Sequence, residues 1–277
     1  MDEIQILRLF KRSQSLLTTD LNNNFSLLDK SIEKKKFLII GAAGTIGSAV
    51  SLEIFKRKPQ GLYLVDISEN NLVEVVRQMR STTGDSETEL KTFAIDFGSP
   101  EFSRMLEASG PFDYVLNLAA LKHVRSEKDP YTLTRMLRVN VLNSIRLQRF
   151  CDKFENCKYF CVSTDKAANP ANIMGASKLM MERLLLSNEC TTTTSFARFA
   201  NVAFSDGSLL HGFINRIRAK QPLTAPSDIK RYFVSKQESG QICLLSAVLG
   251  GDSEIFFPKL DATKDLLSFK DLTYRFL

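Results

Sequence analysis

The chain has 277 residues, of which 44% are hydrophobic, enough to bury a sizeable core. Its formal net charge is +6, but the basic residues are scattered, so the charge favours a phosphate-bearing small molecule over nucleic acid. The five cysteines include no C-x-x-C pair, so we expect them to be reduced residues of the core. The two histidines lack the spacing of metal ligands, so we expect no structural metal. Without an apolar leader or a run of roughly 20 apolar residues, we expect a cytoplasmic protein with no membrane partner.

Residues 1–36 are predicted to form a helical arm. Apolar residues recur at roughly helical spacing from Ile4 onward, and the polar sequence at 22–24 interrupts them, which argues against one continuous helix. The apolar stripe packs either on the chain's own core or on a partner subunit. We also expect a homo-oligomer.

From residue 36 onward, short apolar runs alternate with longer amphipathic stretches, the pattern of β-α units around a parallel sheet. The predicted strands are 37–40, 62–65, 92–95, 114–118, 159–162 and 195–199. The predicted helices are 45–58, 69–80, 101–109, 130–155 and 173–189. The fold class is therefore α/β, a doubly wound parallel sheet of the Rossmann type.

The periodicity divides the rest of the chain into two parts. Residues 37–205 are predicted to be the cofactor-binding Rossmann domain. Residues 206–277 are punctuated by glycine and proline and are predicted to be a small C-terminal substrate-binding part, with a helix at 236–249 and a strand at 255–257. We expect this second part to be incomplete.

A glycine-rich loop follows the first predicted strand. Gly41, Gly44 and Gly47 allow a sharp turn and a close approach of the backbone to a pyrophosphate at a helix N-terminus. Thr45 and Ile46 lie in the same loop and are predicted to contact the cofactor. The spacing G-x-x-G-x-x-G differs from the commoner G-x-G-x-x-G, so the position between a strand and a helix carries the prediction.

Two aspartates follow the next two strands. Asp66 lies where the ribose-binding acid of a dinucleotide site belongs, and a carboxylate there favours NAD over NADP, with NADP still possible. Alternatively, Asp66 is an acid at a helix N-terminus that Ser68 caps. Asp96 is either near the adenine or an ordinary turn residue.

Two further segments lie at the ends of the fourth and fifth strands, where open α/β sheets bind ligands. The first runs Asn117-Leu118-Ala119-Ala120, and Ala119 is predicted to contact the cofactor. The second runs from Val162 to Ala167, and Lys178 follows at the start of a helix.

The chain resembles the extended short-chain dehydrogenase/reductase family and, within it, the nucleoside-diphosphate-sugar 4,6-dehydratases of polysaccharide and legionaminic-acid biosynthesis. The matching segments are Gly41 to Gly47, Asn117 to Val124 (NLAALKHV), Ser163 to Lys178 (STDKAANPANIMGASK), Arg198 to Gly207 (RFANVAFSDG) and Arg231-Tyr232-Phe233. The resemblance implies NAD or NADP as cofactor, a UDP-linked N-acetylhexosamine as substrate and a 4-keto-6-deoxy product.

The Y-x-x-x-K motif of the wider family reads Met174-x-x-x-Lys178 here, and the resemblance to the dehydratase branch includes this replacement. Methionine is neither an acid nor a base, so the base for the C4 hydroxyl is open among Ser163, Thr164 and Asp165. The resemblance implies that Thr164 meets the C4 oxygen and that Lys178 holds the nicotinamide ribose.

Residue chemistry suggests the elimination groups. Lys166 could remove the C5 proton if burial and neighbouring Lys178 lower its pKa, and Asp165 could protonate the leaving hydroxyl. Alternatively, Asp165 and Lys166 form a loop ion pair.

The resemblance places Lys122 in the nicotinamide-side loop, where it is predicted to bind the substrate, while His123 is left outside the catalytic set. Asn201 and Arg231 are candidates for the substrate pyrophosphate, because a guanidinium matches phosphate oxygens, unless Arg231 is simply solvated. Asn140 is expected to bridge backbone groups, a role that could be purely architectural.

Two other functions remain open. The first is a nucleotide-sugar epimerase with the same fold and cofactor. The second is a catalytically silent Rossmann protein, which Met174 and the short chain would suit.

Overall fold

The computed structural model describes residues 2–83, 87–187 and 190–277. The strands are β1 (Lys36–Ile40), β2 (Gly61–Asp66), β3 (Glu89–Ala94), β4 (Tyr114–Asn117), β5 (Lys158–Val162), β6 (Thr194–Ala197), β7 (Asn201–Val202), β8 (Lys230–Val234), β9 (Glu254–Phe256) and β10 (Leu266–Ser268). Seven form a parallel sheet in the order β3-β2-β1-β4-β5-β6-β9. Helices flank it, so the predicted Rossmann-type α/β fold is confirmed.

The helices agree with the predicted pattern in most places. They are α1 (Glu3–Leu9), α2 (Thr18–Asn23), α3 (Phe25–Ile32), α4 (Thr45–Phe55), α5 (Glu69–Thr83), α6 (Pro100–Ser109), α7 (Pro130–Leu137), α8 (Asn143–Cys151), α9 (Ile173–Ser187), α10 (Leu209–Arg218), α11 (Lys236–Leu249) and α12 (Phe269–Phe276). The predicted helix over 130–155 is confirmed over 130–151: α7, a π-helical segment (Arg138–Leu142) and α8 follow one another without a break, and α8 ends at Cys151, four residues before the predicted end. The last two residues of the predicted helix 173–189 lie outside the described residues.

The central strand β1 shows why its continuous apolar run predicts a buried parallel strand. Phe37 and Ile39 belong to one core cluster, and Leu38 and Ile40 to another. All four side chains are buried, because helices cover both faces of the sheet. This packing fixes the loop that follows β1 at the carboxyl edge of the sheet.

Strand β3 differs most from its prediction, which placed it at 92–95. It lies at the edge of the sheet and most of its residues are exposed or half-buried, so its sequence carries a weaker apolar signal than a central strand. The predicted ends of β4, β6 and β9 are one or two residues too late.

The N-terminal arm packs on the chain's own core. Ile6, Leu9 and Phe10 are buried in one cluster with residues of α10, β8 and α12. The Arg12 guanidinium lies 3.2 Å from the Glu238 carboxylate and 3.1 Å from Asp265, and donates a 3.0 Å hydrogen bond to a carbonyl of β8. The predicted break at 22–24 is confirmed, because α2 ends at Asn23 and α3 begins at Phe25.

Residues 206–277 contribute to both sheets. They supply β8 and β10 to a three-stranded sheet of order β10-β8-β7, and β9 to the main sheet. The predicted helix 236–249 is confirmed as α11, which packs against α4 so closely that a Cβ on Gly240 would lie 2.7 Å from the Ala49 backbone. A division of the chain at residue 205 stays a prediction.

Three further observations concern the composition. The five cysteines are free, and four of them are buried. Within the described ranges, histidine, cysteine and acidic side chains form no group of three or more that could hold a metal ion. In those same ranges, no helix has the length and apolarity that crossing a membrane requires.

Candidate functional site

Two adjoining pockets open at the carboxyl ends of the central strands. The larger, of about 420 Å³, lies beyond β1, β4, β5 and β6, and the smaller, of about 250 Å³, lies beyond β1, β2 and β3. Together they bring every predicted cofactor-binding residue to one edge of the sheet. The larger pocket is lined by Gly41, Gly44, Thr45, Ile46, Gly47 and Lys178, and the smaller by Gly41, Gly44, Asp66, Asp96 and Ala119.

The glycine loop is packed too closely for side chains at two positions. Gly41 has a φ of +75°, and a Cβ there would lie 2.7 Å from the Ala119 nitrogen. A Cβ on Gly47 would lie 2.0 Å from the Gly41 carbonyl oxygen. Gly44 is the N-cap of α4, so the first backbone N–H groups of this helix begin beside the pocket, where they attract anions.

The Asp66 carboxylate ties the end of β2 to this loop. One oxygen accepts a 3.0 Å hydrogen bond from the Ala43 nitrogen, and the other accepts a 2.9 Å bond from the Ser68 nitrogen. The Ser68 hydroxyl in turn accepts a 3.4 Å bond from the Asn71 nitrogen. These bonds hold the Asp66 carboxylate beside the smaller pocket. The residue that caps the N-terminus of α5 is Ser68, not Asp66.

Asp96 lies in a turn beside the smaller pocket. One carboxylate oxygen accepts a 2.8 Å hydrogen bond from the Gly98 nitrogen, as in an ordinary turn, and the residue also lines the smaller pocket.

The segment after β5 places three functional groups in contact. The Thr164 hydroxyl donates to Asp165 Oδ1 over 2.9 Å, and Lys166 Nζ donates to the same oxygen over 3.0 Å. Thr164 and Lys166 line the larger pocket. The expected burial of Lys166 is not observed, since its side chain is 37% exposed and that of Asp165 is 45% exposed. The structure thus shows the loop ion pair that we kept as the alternative.

Lys178 is the buried cation of the larger pocket. Its ammonium donates a 2.9 Å hydrogen bond to the Val162 carbonyl at the end of β5. Burial lowers the pKa of Lys178, and the nearby Cys161 and Glu182 oppose that shift. An ammonium has three donors, so the group can also donate to a ligand hydroxyl.

Met174 occupies the wall of the same pocket. Its side chain is buried, and its backbone nitrogen donates a 2.8 Å hydrogen bond to the Glu127 carboxylate. Sequence reasoning missed Glu127, which lies 47 residues away with no motif of its own. Asn140 bridges the Leu121 backbone and the Ser177 hydroxyl, so it connects the loop after β4 to α9.

The predicted substrate-binding residues separate in the structure. Lys122 and Asn201 line the larger pocket, whereas Arg231 is not among its lining residues. The Arg231 side chain is exposed, and its guanidinium donates a 2.9 Å hydrogen bond to the Lys230 carbonyl. The structure therefore supports the solvated alternative for Arg231.

A candidate base for the C4 hydroxyl, Ser163, and a loop without a predicted role also line the larger pocket. The buried Ser163 hydroxyl has no hydrogen-bond partner among the described residues, and it faces the same pocket. The loop after β7 adds residues 205–208, and a Cβ on Gly207 would lie 2.5 Å from the His123 ring. The Asp206-Gly207 turn signal in the sequence could have indicated this loop, but not its place beside His123.

A parallel sheet with a glycine loop after β1 and a carboxylate after β2 defines a Rossmann-type nucleotide-cofactor fold. The family described as "Polysaccharide biosynthesis protein" matches residues 37–272. The chain belongs to this family.

Two curated relatives show the range of the similarity. The capsular polysaccharide biosynthesis protein CapD of Staphylococcus aureus is 31% identical over 240 residues, which is 84% of this chain and 39% of the relative. An uncharacterized membrane protein of Methanocaldococcus jannaschii is 31% identical over 252 residues, which is 88% of this chain and 72% of the relative. The chain thus spans well under half the length of CapD.

Solved structures share the fold. Pen from Bacillus thuringiensis is 24% identical, with a TM-score of 0.76 over 87% of this chain and 72% of that chain. WbmF from Bordetella bronchiseptica, solved with NAD+ and UDP, is 15% identical, with a TM-score of 0.71 over 89% and 77% of the two chains. Other similar proteins are UDP-glucose 4-epimerases and a dTDP-glucose 4,6-dehydratase, which by their names are enzymes of nucleotide sugars.

Proposed function

We propose that the chain is an NAD-dependent nucleotide-sugar 4,6-dehydratase that converts a UDP-N-acetylhexosamine to its 4-keto-6-deoxy derivative. The observation that carries this proposal is the contact chain Thr164–Asp165–Lys166 at the edge of the larger pocket. It supplies a hydroxyl, an acid and an amine side by side, and 4,6-elimination needs all three. A 4-epimerase has no need of the acid and amine pair.

The residues of the two pockets fit a bound NAD. Close packing at Gly41 and Gly47 lets the backbone approach a pyrophosphate, and Asp66 lies where the adenosine ribose would reach it. The buried Lys178 ammonium has free donors for the nicotinamide ribose. Similar proteins solved with NAD support the same choice.

The proton transfers can be assigned to this chain's own residues. NAD held in the two pockets would supply the hydride acceptor for C4 and the hydride donor for C6. The C4 hydroxyl proton passes through the Thr164 hydroxyl to Asp165. Asp165 then delivers it to the C6 oxygen, which leaves as water while Lys166 Nζ takes the C5 proton. Lys166 returns that proton to C5 when the hydride reaches C6, so both protons and the hydride are accounted for.

Product NMR tests the proposal directly. The NAD-loaded protein is incubated with UDP-N-acetylglucosamine, and a C6 methyl signal is expected. A retained CH₂OH group with inverted C4 would identify an epimerase, and unchanged substrate would contradict both activities. Lys166→Ala should abolish the methyl signal, whereas Lys91→Ala, which breaks a comparably exposed ion pair with Glu89 on β3, should not.

A further inference from the structure

The Ser163 side chain places an unpaired hydroxyl in the wall of the larger pocket. The residue is 5% exposed, and its oxygen meets no hydrogen-bond partner in the part of the chain that the structure describes. By contrast, the Ser177 hydroxyl on α9 donates to the Met174 carbonyl and accepts a bond from the Asn140 amide. A buried hydroxyl without a partner destabilises the folded chain, because it has lost its hydration and gained no bond. In a pocket wall, a ligand can supply the missing partner.

The strand geometry places this hydroxyl on the α9 side of the sheet. Ser163 continues the ladder beyond β5, since its backbone nitrogen donates a 2.8 Å hydrogen bond to the Ala197 carbonyl. Side chains alternate along a strand, and Cys161, two residues earlier, contacts Met181 of α9 with 3.2 Å between the two sulfur atoms. Ser163 therefore faces the side from which Lys178 of α9 reaches the pocket.

We propose that the Ser163 hydroxyl binds the carboxamide of the nicotinamide ring of NAD. Lys178, the cation for the nicotinamide ribose, is hydrogen-bonded to the carbonyl of Val162, the residue before Ser163. The ring attached to that ribose carries one hydrogen-bonding substituent, a carboxamide with an acceptor oxygen and a donor NH₂ group. A serine hydroxyl can pair with either of them. The contact rests on the proposed binding of NAD, not on the sugar reaction that follows.

This assignment separates Ser163 from the proton transfers. The Thr164 hydroxyl donates to Asp165, so a proton that reaches Thr164 can pass on to an acid. Ser163 has no such onward acceptor among the described residues, and the alternation of the strand turns its side chain away from that of Thr164. Its role is therefore to orient the nicotinamide ring, because a ring whose carboxamide is held cannot turn freely about its bond to the ribose.

Calorimetry with NAD and with ADP-ribose tests the contact, because ADP-ribose has every group of NAD except the nicotinamide ring. Ser163→Ala should weaken NAD binding about three- to tenfold, the effect of one lost hydrogen bond, and leave ADP-ribose binding unchanged. Ser51→Ala is the matched control, because Ser51 in α4 is also buried with an unpaired hydroxyl but is not a lining residue of either pocket. This control should leave both affinities unchanged.

Urea unfolding without cofactor separates a ligand-binding hydroxyl from a structural one. Both substitutions remove an unpaired buried hydroxyl, so the unfolding midpoint of each variant should equal or exceed that of the wild type. A lower midpoint for Ser163→Ala would overturn the inference, because the hydroxyl would then stabilise the chain itself.

The remaining outcomes distinguish this contact from the proposed function. The contact is also ruled out if Ser163→Ala weakens NAD and ADP-ribose equally, or if Ser51→Ala weakens NAD as much. An unchanged NAD affinity in Ser163→Ala, together with a C6 methyl product from the wild type, would overturn the contact and leave the proposed dehydratase standing. A wild-type chain that binds neither NAD nor ADP-ribose would contradict both.

Discussion

Asp66→Asn is the substitution that tests cofactor choice most directly. Each oxygen of the wild-type carboxylate accepts one backbone N–H, from Ala43 and from Ser68. Asparagine has one acceptor oxygen, so its NH₂ group would face one of these donors. The variant therefore loses a loop contact and also the negative charge that faces the ribose.

The size of the effect follows from these contacts. A hydrogen bond to a charged group contributes roughly 1 kcal/mol more than a neutral one, and the loosened loop adds a similar cost. NAD binding should therefore weaken about five- to thirtyfold. NADP should bind more tightly to the variant, because the repulsion between the Asp66 carboxylate and the 2′-phosphate is removed. Two like unit charges 4 Å apart in water repel by about 1 kcal/mol, and the phosphate carries nearly two charges. The preference for NAD over NADP should fall by at least about tenfold.

Titration of both cofactors by calorimetry measures this preference. Asp96→Asn is the matched control, because Asp96 lines the same smaller pocket and also holds a backbone N–H. It should leave the ratio of the two affinities unchanged. If Asp66→Asn keeps the wild-type ratio, or if Asp96→Asn shifts it equally, the assignment of Asp66 to the ribose is wrong.

Three further substitutions test other parts of the structure. Gly47→Ala should abolish NAD binding in a titration, because its Cβ would lie 2.0 Å from a backbone oxygen of the loop; Gly212→Ala, whose Cβ meets nothing within 4 Å, should preserve binding and stabilise α10 by about 1 kcal/mol. Burial lowers the pKa of Lys178, so its ammonium group loses a proton at a lower pH in the folded chain than in the unfolded chain. The contribution of Lys178 to the free energy of unfolding therefore rises with pH towards 10.5, the ordinary pKa of lysine. In urea unfolding, the stability of wild type relative to Lys178→Met should therefore increase from pH 7 to pH 10, and a constant difference would contradict the burial argument. In the same assay, Arg12→Met should lower the free energy of unfolding by about 3 kcal/mol, because it leaves the buried Glu238 carboxylate of α11 without its cation. The control Arg8→Met changes an exposed residue and should alter that free energy by less than about 0.5 kcal/mol.

The fold was predictable where local patterns and tertiary burial agree. Strand β1 reads as an uninterrupted apolar run because both of its faces are covered, and α11 combines a Ser235 cap with helical periodicity. Edge strand β3 lacks that agreement, so its start was predicted three residues late and its end one residue late. The π-helical segment between α7 and α8 has no sequence rule comparable to a proline or a cap, so the helix over 130–151 was predicted but its π-helical turn was not.

The candidate site has a side that local sequence patterns predict and a side that they do not. Its cofactor side follows from local rules, since Gly41 and Asp66 lie directly at strand ends whose meeting place the parallel sheet fixes. Its substrate side depends on loops that meet only in three dimensions. Lys122 and Asp206 reach the larger pocket from the loops after β4 and β7, while Arg231, attractive by residue type, lies outside it.

In the proposed reaction, Met174 stands where the wider family has tyrosine, so another group must take the C4 proton, and the contacts of Thr164 offer one. Its hydroxyl already donates to Asp165, so a proton arriving from the substrate has a continuous path to the acid. Met174, by contrast, is buried and its backbone is held by Glu127, so its side chain should act only by packing.

Two nearly isosteric substitutions separate these roles. Thr164→Val removes the hydroxyl at nearly constant volume and should lower kcat by about 100- to 10,000-fold, the range of a lost general acid-base group. Met174→Leu conserves volume and should leave kcat within about threefold while costing under about 1.5 kcal/mol of stability. Single-turnover measurement of NADH formation and decay would locate the loss at C4 oxidation. If Met174→Leu lowers kcat as far as Thr164→Val does, the hydroxyl relay is not the path, because packing alone would then account for both effects.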